Sequence, residues 1–378
     1  MKDTGLPDYI AINIPFTVNG EEAKLVWYTA WFSKLCAHRL LNDVKGNDAL
    51  LGFSQASFLK YARERCYELL PNRRYIDGVA TLVHSTLRSA RKLGVNIRDI
   101  ELGQWLLFQS EAESEKRGNL NIRLLSVNRA EVLVLNYDGA SKRIDIGLKT
   151  PKGYVELLKV LIERAGKYEV GYPARVMVRG YNFRPGNMHL YCGLQVMVPY
   201  SLYLNVMRRY SEPRGNLIGG VDVNVNRLNL AIVDRYGRLR DVKTFWFREV
   251  TARGFKGVVA WTKIHQAIHE LLNYAYHHGV SAISLENPRT IGYLRYYWVR
   301  NGDRGSRNYN YRVSIFRSRT IEVISYKAPL YAMRTIYVNP KGTTNSQQHD
   351  EVMRRLGLDR HAASAYLIAL RGLNKQGR

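Results

Sequence analysis

The chain has 378 residues, 46% of them hydrophobic and 24% charged, which is enough apolar material for two or three packed domains. Its 57 Lys and Arg outnumber 32 Asp and Glu, giving a net charge of +25 and an isoelectric point near 10.0, so the expected partner is a polyanion, nucleic acid above all. No stretch reaches the run of about 18 apolar residues that a membrane span needs, residues 1–20 lack the apolar core of a secretory leader, and the scattered Cys36, Cys66 and Cys192 form no CxxC pair for zinc.

In chain order, Tyr9–Val18 alternates as a strand, and Glu21–Leu41, Ser54–Leu70 and Asp77–Leu93 read as helices. The third helix carries Val79, Leu82, Val83, Leu87 and Ala90 on one stripe, with Asp77 as its expected N-cap and Gly94 as its stop. Its other face presents Arg88, Arg91 and Lys92, candidates for gripping phosphates. Leu120–Leu125, Glu131–Tyr137, Arg175–Arg179 and Met188–Val198 read as strands around one helix, Tyr154–Ala165. Together with Tyr9–Val18 they are expected to close a small β-barrel, and Ser211–Asn216 reads as a linker.

The second half has a different order. A strand meander covers Leu217–Phe247, followed by a helix over about 257–278 and a strand, Ala282–Glu286. An Arg/Tyr-rich stretch, a helix over Ser314–Met333, a strand over Thr335–Val338 and a last helix over Asp359–Leu370 complete it. Antiparallel strands followed by alternating helices and strands is the order of an RNase H-like α/β domain.

Three acids in this half occupy awkward positions. Asp222 lies within the apolar run "GGVDVNVNRLNLAIV", where an ionised carboxylate is costly unless something answers its charge. Glu286 ends the strand "AISLENP", and Asp359 opens the helix "DRHAASAYLIALRGL". If the first and fourth strands are neighbours, Asp222 and Glu286 share a face, and the small Gly220 and Ser284 beside them leave room for a backbone or a phosphate. Carboxylates so placed suit Mg²⁺ or Mn²⁺, and two such ions about 4 Å apart cleave a phosphodiester without a Ser or Cys nucleophile. Asp359 also reads as a helix N-cap and Glu286 as a solvated strand end. Asp350 is a rival third acid in an expected loop.

At these residues the sequence resembles the TnpB family, compact nucleases of insertion sequences related to type V CRISPR effectors. "GGVDVNVNRLNLAIV" resembles the first RuvC motif, "ISLENP" the second and "DRHAASAYLIA" the third, while Tyr326–Ser346 is similar to the stretch between the second and third. The resemblance is specific over 217–373 and looser upstream. It implies a wedge-type β-barrel over 1–18 and 120–210, a helical recognition insertion over 19–119, and a RuvC nuclease domain over 216–378. It further implies an RNA-guided DNA endonuclease with Asp222, Glu286 and Asp359 as catalytic metal ligands, working as a monomer in a ribonucleoprotein with guide RNA and target DNA. That protein would be cytoplasmic and nucleoid-associated. The family's four-cysteine zinc ribbon is missing, since no cysteine follows Cys192, so no zinc is expected; His361 stands where the family has Asn. Two other readings are an unguided RuvC-type nuclease acting on junctions or flaps, and a non-cleaving RNA-guided DNA-binding regulator.

Within 287–319, Arg289, Arg295, Arg300, Arg304, Arg307, Arg312, Arg317 and Arg319 are interleaved with Tyr293, Tyr296, Tyr297, Trp298, Tyr309 and Tyr311. Guanidinium forks on phosphates and rings under bases are how single strands are held, so this segment is expected to handle nucleic acid. His265 and His269 have the i, i+4 spacing of a helical metal pair but no accompanying Glu or third ligand.

Overall fold

Leu217–Val223 (β8), Arg227–Val233 (β9) and Val280–Glu286 (β11) are buried along almost their whole length, as strands covered on both faces must be. They form the centre of one of three sheets in a computed structural model of the chain. The structure describes all residues except 1–5, 93–95, 104–105, 185–186, 252–256, 288–303, 344–345 and 377–378, and for 92, 184, 257–258, 304–315 and 376 it describes the backbone alone. The chain divides into two compact units, Asp8–Val206 and a second built on Met207–Arg378.

In the first unit, β1 (Tyr9–Asn19) buries Ile12, Ile14, Phe16 and Val18 and turns alternate residues outward, the pattern of a strand with one covered face. It pairs antiparallel with β7 (Asn187–Pro199), which continues to β6 (Ala174–Arg184) and β2 (Leu106–Ser110) in the order β1-β7-β6-β2. A separate sheet contains β3 (Ile122–Ser126), β4 (Arg129–Leu135) and β5 (Ser141–Gly147). The helices are α1 (Gly20–Gly46), α2 (Gln55–Cys66), α3 (Arg73–Lys92), α4 (Val155–Gly166) and α5 (Tyr200–Met207).

The expected barrel is not formed: among the described residues neither sheet closes on itself. The sheets are joined by a bridge, Phe16 to Leu148, and β2, which ends its sheet beyond β6, packs against α1 and α3. Asp77 is not an N-cap. The third helix starts four residues earlier, where Asn72 Oδ1 accepts from Tyr75 N at 3.1 Å, and Asp77 lies inside it, bonded to Arg63 at 2.6 and 2.8 Å.

In the second unit, β8, β9 and β10 (Leu239–Trp246) form an antiparallel meander. β11 joins β8 in parallel, and β12 (Arg334–Val338) joins β11 in parallel, giving the order β10-β9-β8-β11-β12. The helices are α6 (Gly257–His277), α7 (Arg304–Lys327), α8 (Gln347–Leu356) and α9 (Arg360–Gln376). Ala363, Ala365, Tyr366, Leu367 and Ala369 of α9 pack on Ile218, Ala231 and Val233, with Val242 of β10 beside them. The neighbouring Phe245 turns to the other face, its ring 5.9 Å from Tyr274 of α6, so the two helices cover opposite faces of the sheet. The fold is thus mixed α/β in two units, with no described helix long and apolar enough to cross a membrane.

Gly220 is what lets α9 lie so close. A Cβ there would fall 2.8 Å from Ala369 Cα and nearer still to Ala365 O and Ala369 N. On β11, Ser284 donates to Ile368 O at 2.8 Å. The small residues expected to leave room for a phosphate instead admit this helix.

Candidate active site

Leu285 stands opposite Val221 in the parallel pairing of β11 with β8, one residue before Glu286 and Asp222. The two carboxylates therefore emerge side by side at the ends of adjacent strands, 4% and 5% exposed. α9 runs back across the sheet, so its first turn reaches the same end.

Asp222 Oδ2 accepts from Asn224 Nδ2 at 2.7 Å and from His361 Nδ1 at 3.0 Å. Its Oδ1 faces Arg317 Nη2 at 3.9 Å, and the same nitrogen donates to Glu286 Oε2 at 3.3 Å. Glu286 Oε1 lies 2.9 Å from Thr343 Oγ1, which is also 2.8 Å from Pro340 O and donates to one of them at a time. Burial, with the Asp222 charge adding to it, raises the Glu286 carboxyl above its ordinary pKa, against the lowering effects of Arg317, Thr343 and Arg371. The mid-strand charge of Asp222 is thus answered by protein donors from three separate parts of the chain.

Asp359 is exposed at the start of α9, where its Oδ1 accepts from His361 N and Ala362 N, both at 2.8 Å. This is an N-cap, which presets the turn that aims His361 at Asp222. Among the described residues no three His, Cys, Asp or Glu side chains gather into a metal-holding group. Asp350, expected in a loop, is exposed in the first turn of α8, a helix capped by Ser346.

The donor set nevertheless fits a hard divalent cation. Two oxygens, Asp222 Oδ1 and Glu286 Oε2, are left by Asn224, His361 and Thr343 and converge on the position of one guanidinium nitrogen. Asn229, directly across from Asp222 on β9, is buried with its Oδ1 unpartnered among the described residues, a further oxygen on that row of the sheet. A cation here would rest on Asp222 and Glu286, with Asp359 at the rim.

Of the arginines expected on nucleic acid, Arg289, Arg295 and Arg300 lie outside the described residues, as do the side chains of Arg304, Arg307 and Arg312. Arg317 is on the carboxylates. Arg88 and Arg91 are exposed on α3, and Arg91 lines a groove of about 780 Å³ with Lys45, Asp48, Asn96 and Arg98; the Lys92 side chain is outside the described residues. His265 and His269 do not form a metal pair. His269 Nε2 accepts from Lys327 Nζ at 2.7 Å and its Nδ1 lies 2.7 Å from the Tyr331 hydroxyl. Burial and the Lys327 charge push His269 down to about 3.

Sequence reasoning missed Arg317, Asn224 and Thr343 as partners of the pair. Asn224 carried a signal, a polar residue at i+2 on the face of Asp222. Arg317 and Thr343 come from distant segments and carried none as partners of the carboxylates.

Fold and site together define a two-unit α/β protein whose second unit holds a buried carboxylate pair at the ends of two central strands of a mixed sheet. The profile of the SSO2105 N-terminal domain matches residues 9–208, nearly coincident with the first unit, Asp8–Val206. A protein of Aeropyrum pernix is 45% identical over 373 residues, 98% of this chain and 88% of its own length. A second from that organism is 45% identical over 367 residues, 97% of each chain. SSO2105 of Saccharolobus solfataricus is 31% identical over 316 residues, 81% of this chain and 79% of its own. The chain belongs to the SSO2105 family. Among solved structures, T. thermophilus RuvC in complex with a Holliday junction substrate matches with a TM-score of 0.30 and 14% identity, over 43% of this chain and 96% of that one. A CRISPR-Cas12f ternary complex matches with a TM-score of 0.32 and 12% identity, over 92% of this chain and 80% of that one.

Proposed function

We propose that the protein is a divalent-cation-dependent nuclease that cleaves nucleic-acid phosphodiester bonds at the Asp222–Glu286 pair. The observation that carries this reading is the convergence of two buried carboxylates at one end of adjacent parallel strands of a five-stranded mixed sheet. A bound cation would supply Lewis-acid activation of water and neutralise charge on the leaving oxygen. Asn224, His361 and Thr343 hold the carboxylates by one oxygen each, which leaves the other oxygen of each directed to a common point. Asp359, which caps α9 two residues before His361, is the third acid of this reading. The net charge of +25 supports a polyanionic substrate.

The finer reading is an RNA-guided DNA endonuclease of the TnpB kind, with guide RNA and target DNA as partners, Mg²⁺ or Mn²⁺ as cofactor and no zinc. It rests on the motif residues around Asp222, Glu286 and Asp359 and on the arginine-rich segment that follows Glu286. The test is to purify the protein from its native locus, sequence the RNA that accompanies it, and assay DNA cleavage with Mg²⁺ by wild type and Asp222→Asn. A discrete adjacent transcript and cleavage lost in the variant support the reading; undiminished cleavage by Asp222→Asn refutes the site. A second reading, a regulator that binds nucleic acid without cutting it, is favoured by the placement of Asp359, whose Oδ1 is used as a cap.

A further inference from the structure

Arg317 is held loosely for a residue that faces two buried carboxylates. A single nitrogen, Nη2, serves both, at 3.3 and 3.9 Å, where a guanidinium fork on a carboxylate normally makes two parallel bonds of about 2.7–2.9 Å. Its Nε is buried and has no partner among the described residues, yet 31% of the side chain is exposed. The backbone beneath it is anchored. The preceding Phe316 packs its ring 5.6 Å from Trp261 and 6.5 Å from Phe247, and Thr320 Oγ1 donates to Phe316 O at 2.8 Å. A fixed helix turn thus carries a long cationic side chain with most of its donors unused among the described residues. Nη2 occupies the point on which Asp222 Oδ1 and Glu286 Oε2 converge.

From this geometry, and resting on the carboxylate pair as a cation site, we infer that Arg317 is an exchangeable counter-cation that a nucleic-acid phosphate withdraws from the pair, so that divalent-cation loading is coupled to substrate binding. While Arg317 faces the carboxylates it cancels part of their charge and repels an incoming cation. A phosphate at the mouth offers the guanidinium two parallel bonds in place of the single-nitrogen contact at 3.3 and 3.9 Å, to a side chain whose base does not move. Once the guanidinium turns outward, Oδ1 and Oε2 are released together, and the cation arrives where the substrate phosphate already lies. An unloaded protein is thereby kept from holding a reactive ion without its substrate.

The test measures Mn²⁺ binding by electron paramagnetic resonance on the full chain, with and without a phosphorothioate-linked single-stranded DNA that keeps its charge and resists cleavage. Asp222→Asn with the same DNA is the blank for ions bound elsewhere. Wild type is expected to bind Mn²⁺ weakly alone and about tenfold or more tightly with DNA, as removal of a like charge at this range implies. Arg317→Met is expected to bind tightly without DNA and to gain little from it. Arg317→Lys, which keeps the charge, is expected to stay close to wild type without DNA, and circular dichroism checks that both variants fold. Arg317→Met binding no better than wild type, or Arg317→Lys matching it in tightness, overturns the inference while the carboxylate site stands. Mn²⁺ binding indistinguishable between wild type, Arg317→Met and Asp222→Asn removes the site itself, and the inference with it.

Discussion

Substituting Gly220 by alanine is expected to damage the second unit far more than the same change at its neighbour Gly219. The two residues project to opposite faces of β8. At Gly220 the added Cβ meets the backbone of α9: Ala369 Cα at 2.8 Å, with Ala365 O and Ala369 N nearer, against an ordinary contact of 3.4–4 Å. A helix backbone cannot rotate out of the way, so α9 must retreat by roughly 1 Å, and overpacking of this kind costs about 1–3 kcal/mol or more. The retreat also opens a gap between Ile218, Ala231 and Val233 and the residues of α9 above them, and a gap of 0.5–1 Å forfeits about a quarter to a half of each dispersion contact. Together these place Gly220→Ala at about 3 kcal/mol or more. At Gly219 the nearest atoms are side-chain ends, Leu230 Cδ1 at 2.9 Å and Ile283 Cδ1 at 3.1 Å, which can turn aside for about 1 kcal/mol. Any gain from restricting the unfolded chain is common to both variants and cancels in the comparison. Guanidinium denaturation followed by circular dichroism measures the two midpoints. A Gly220→Ala protein within about 1 kcal/mol of wild type, or more stable than Gly219→Ala, would refute this account of how α9 is seated.

Asp359 separates its two roles by chemistry. Asparagine caps a helix as well as aspartate does, so Asp359→Asn is expected to keep wild-type stability while losing cleavage, and Asp359→Ala to lose cleavage and about 1 kcal/mol of stability; full cleavage by Asp359→Asn would leave the cap as its only role. Stability is expected to depend on pH through the half-buried histidines of α6. His265 and His269 are held at about 4 and about 3 by burial and the Lys327 charge, below the 6.5 of the unfolded chain, so the unfolded state binds more protons between about pH 4 and 6.5. Stability therefore rises with pH through that window and levels above it, and denaturation midpoints of His269→Gln should show a shallower rise. Lys327, lowered to about 8 chiefly by burial, adds a second rise between pH 8 and 10.5 that Lys327→Met should remove. If Arg88 and Arg91 contact phosphates, their joint replacement by Ala should reduce the salt slope of DNA affinity by about 1–2, measured by anisotropy at several salt concentrations; an unchanged slope would place them off the nucleic acid.

How much of this was legible in the sequence depended on whether a residue's neighbours were set by local periodicity. The apolar run around Asp222, the strand ending at Glu286 and the helix after Asp359 are written in alternation and in helical spacing, so the elements and their order could be read. The adjacency of Asp222 and Glu286 required only that β8 and β11 be neighbours. That no barrel closes was not legible, because strand periodicity says which residues share a face and nothing about whether a strand pairs on both sides or, as at β2, pairs on one and packs with helices. The start of α3 was misplaced because Asp77, a good capping residue by type, is engaged by Arg63, a partner one helix away.

The question of what answers the Asp222 charge shows the limit most clearly. A carboxylate in an apolar strand announces that a partner exists, and chemistry alone then favours a metal, since the strand itself offers none. The structure supplies Asn224 from the next turn, Arg317 from α7 and His361 from a helix 139 residues away. The last two are aligned by features that look unrelated to the site: Gly220 admits α9, Asp359 starts it at the right residue, and Phe316 fixes the turn below Arg317. Two of the three donors, Asn224 and His361, meet Oδ2 and orient it. The third is a cation on a movable stem, and it alone stands where a metal would stand. The charge is therefore answered in a way that leaves it open to exchange, which is what a cation site requires and a purely structural aspartate does not.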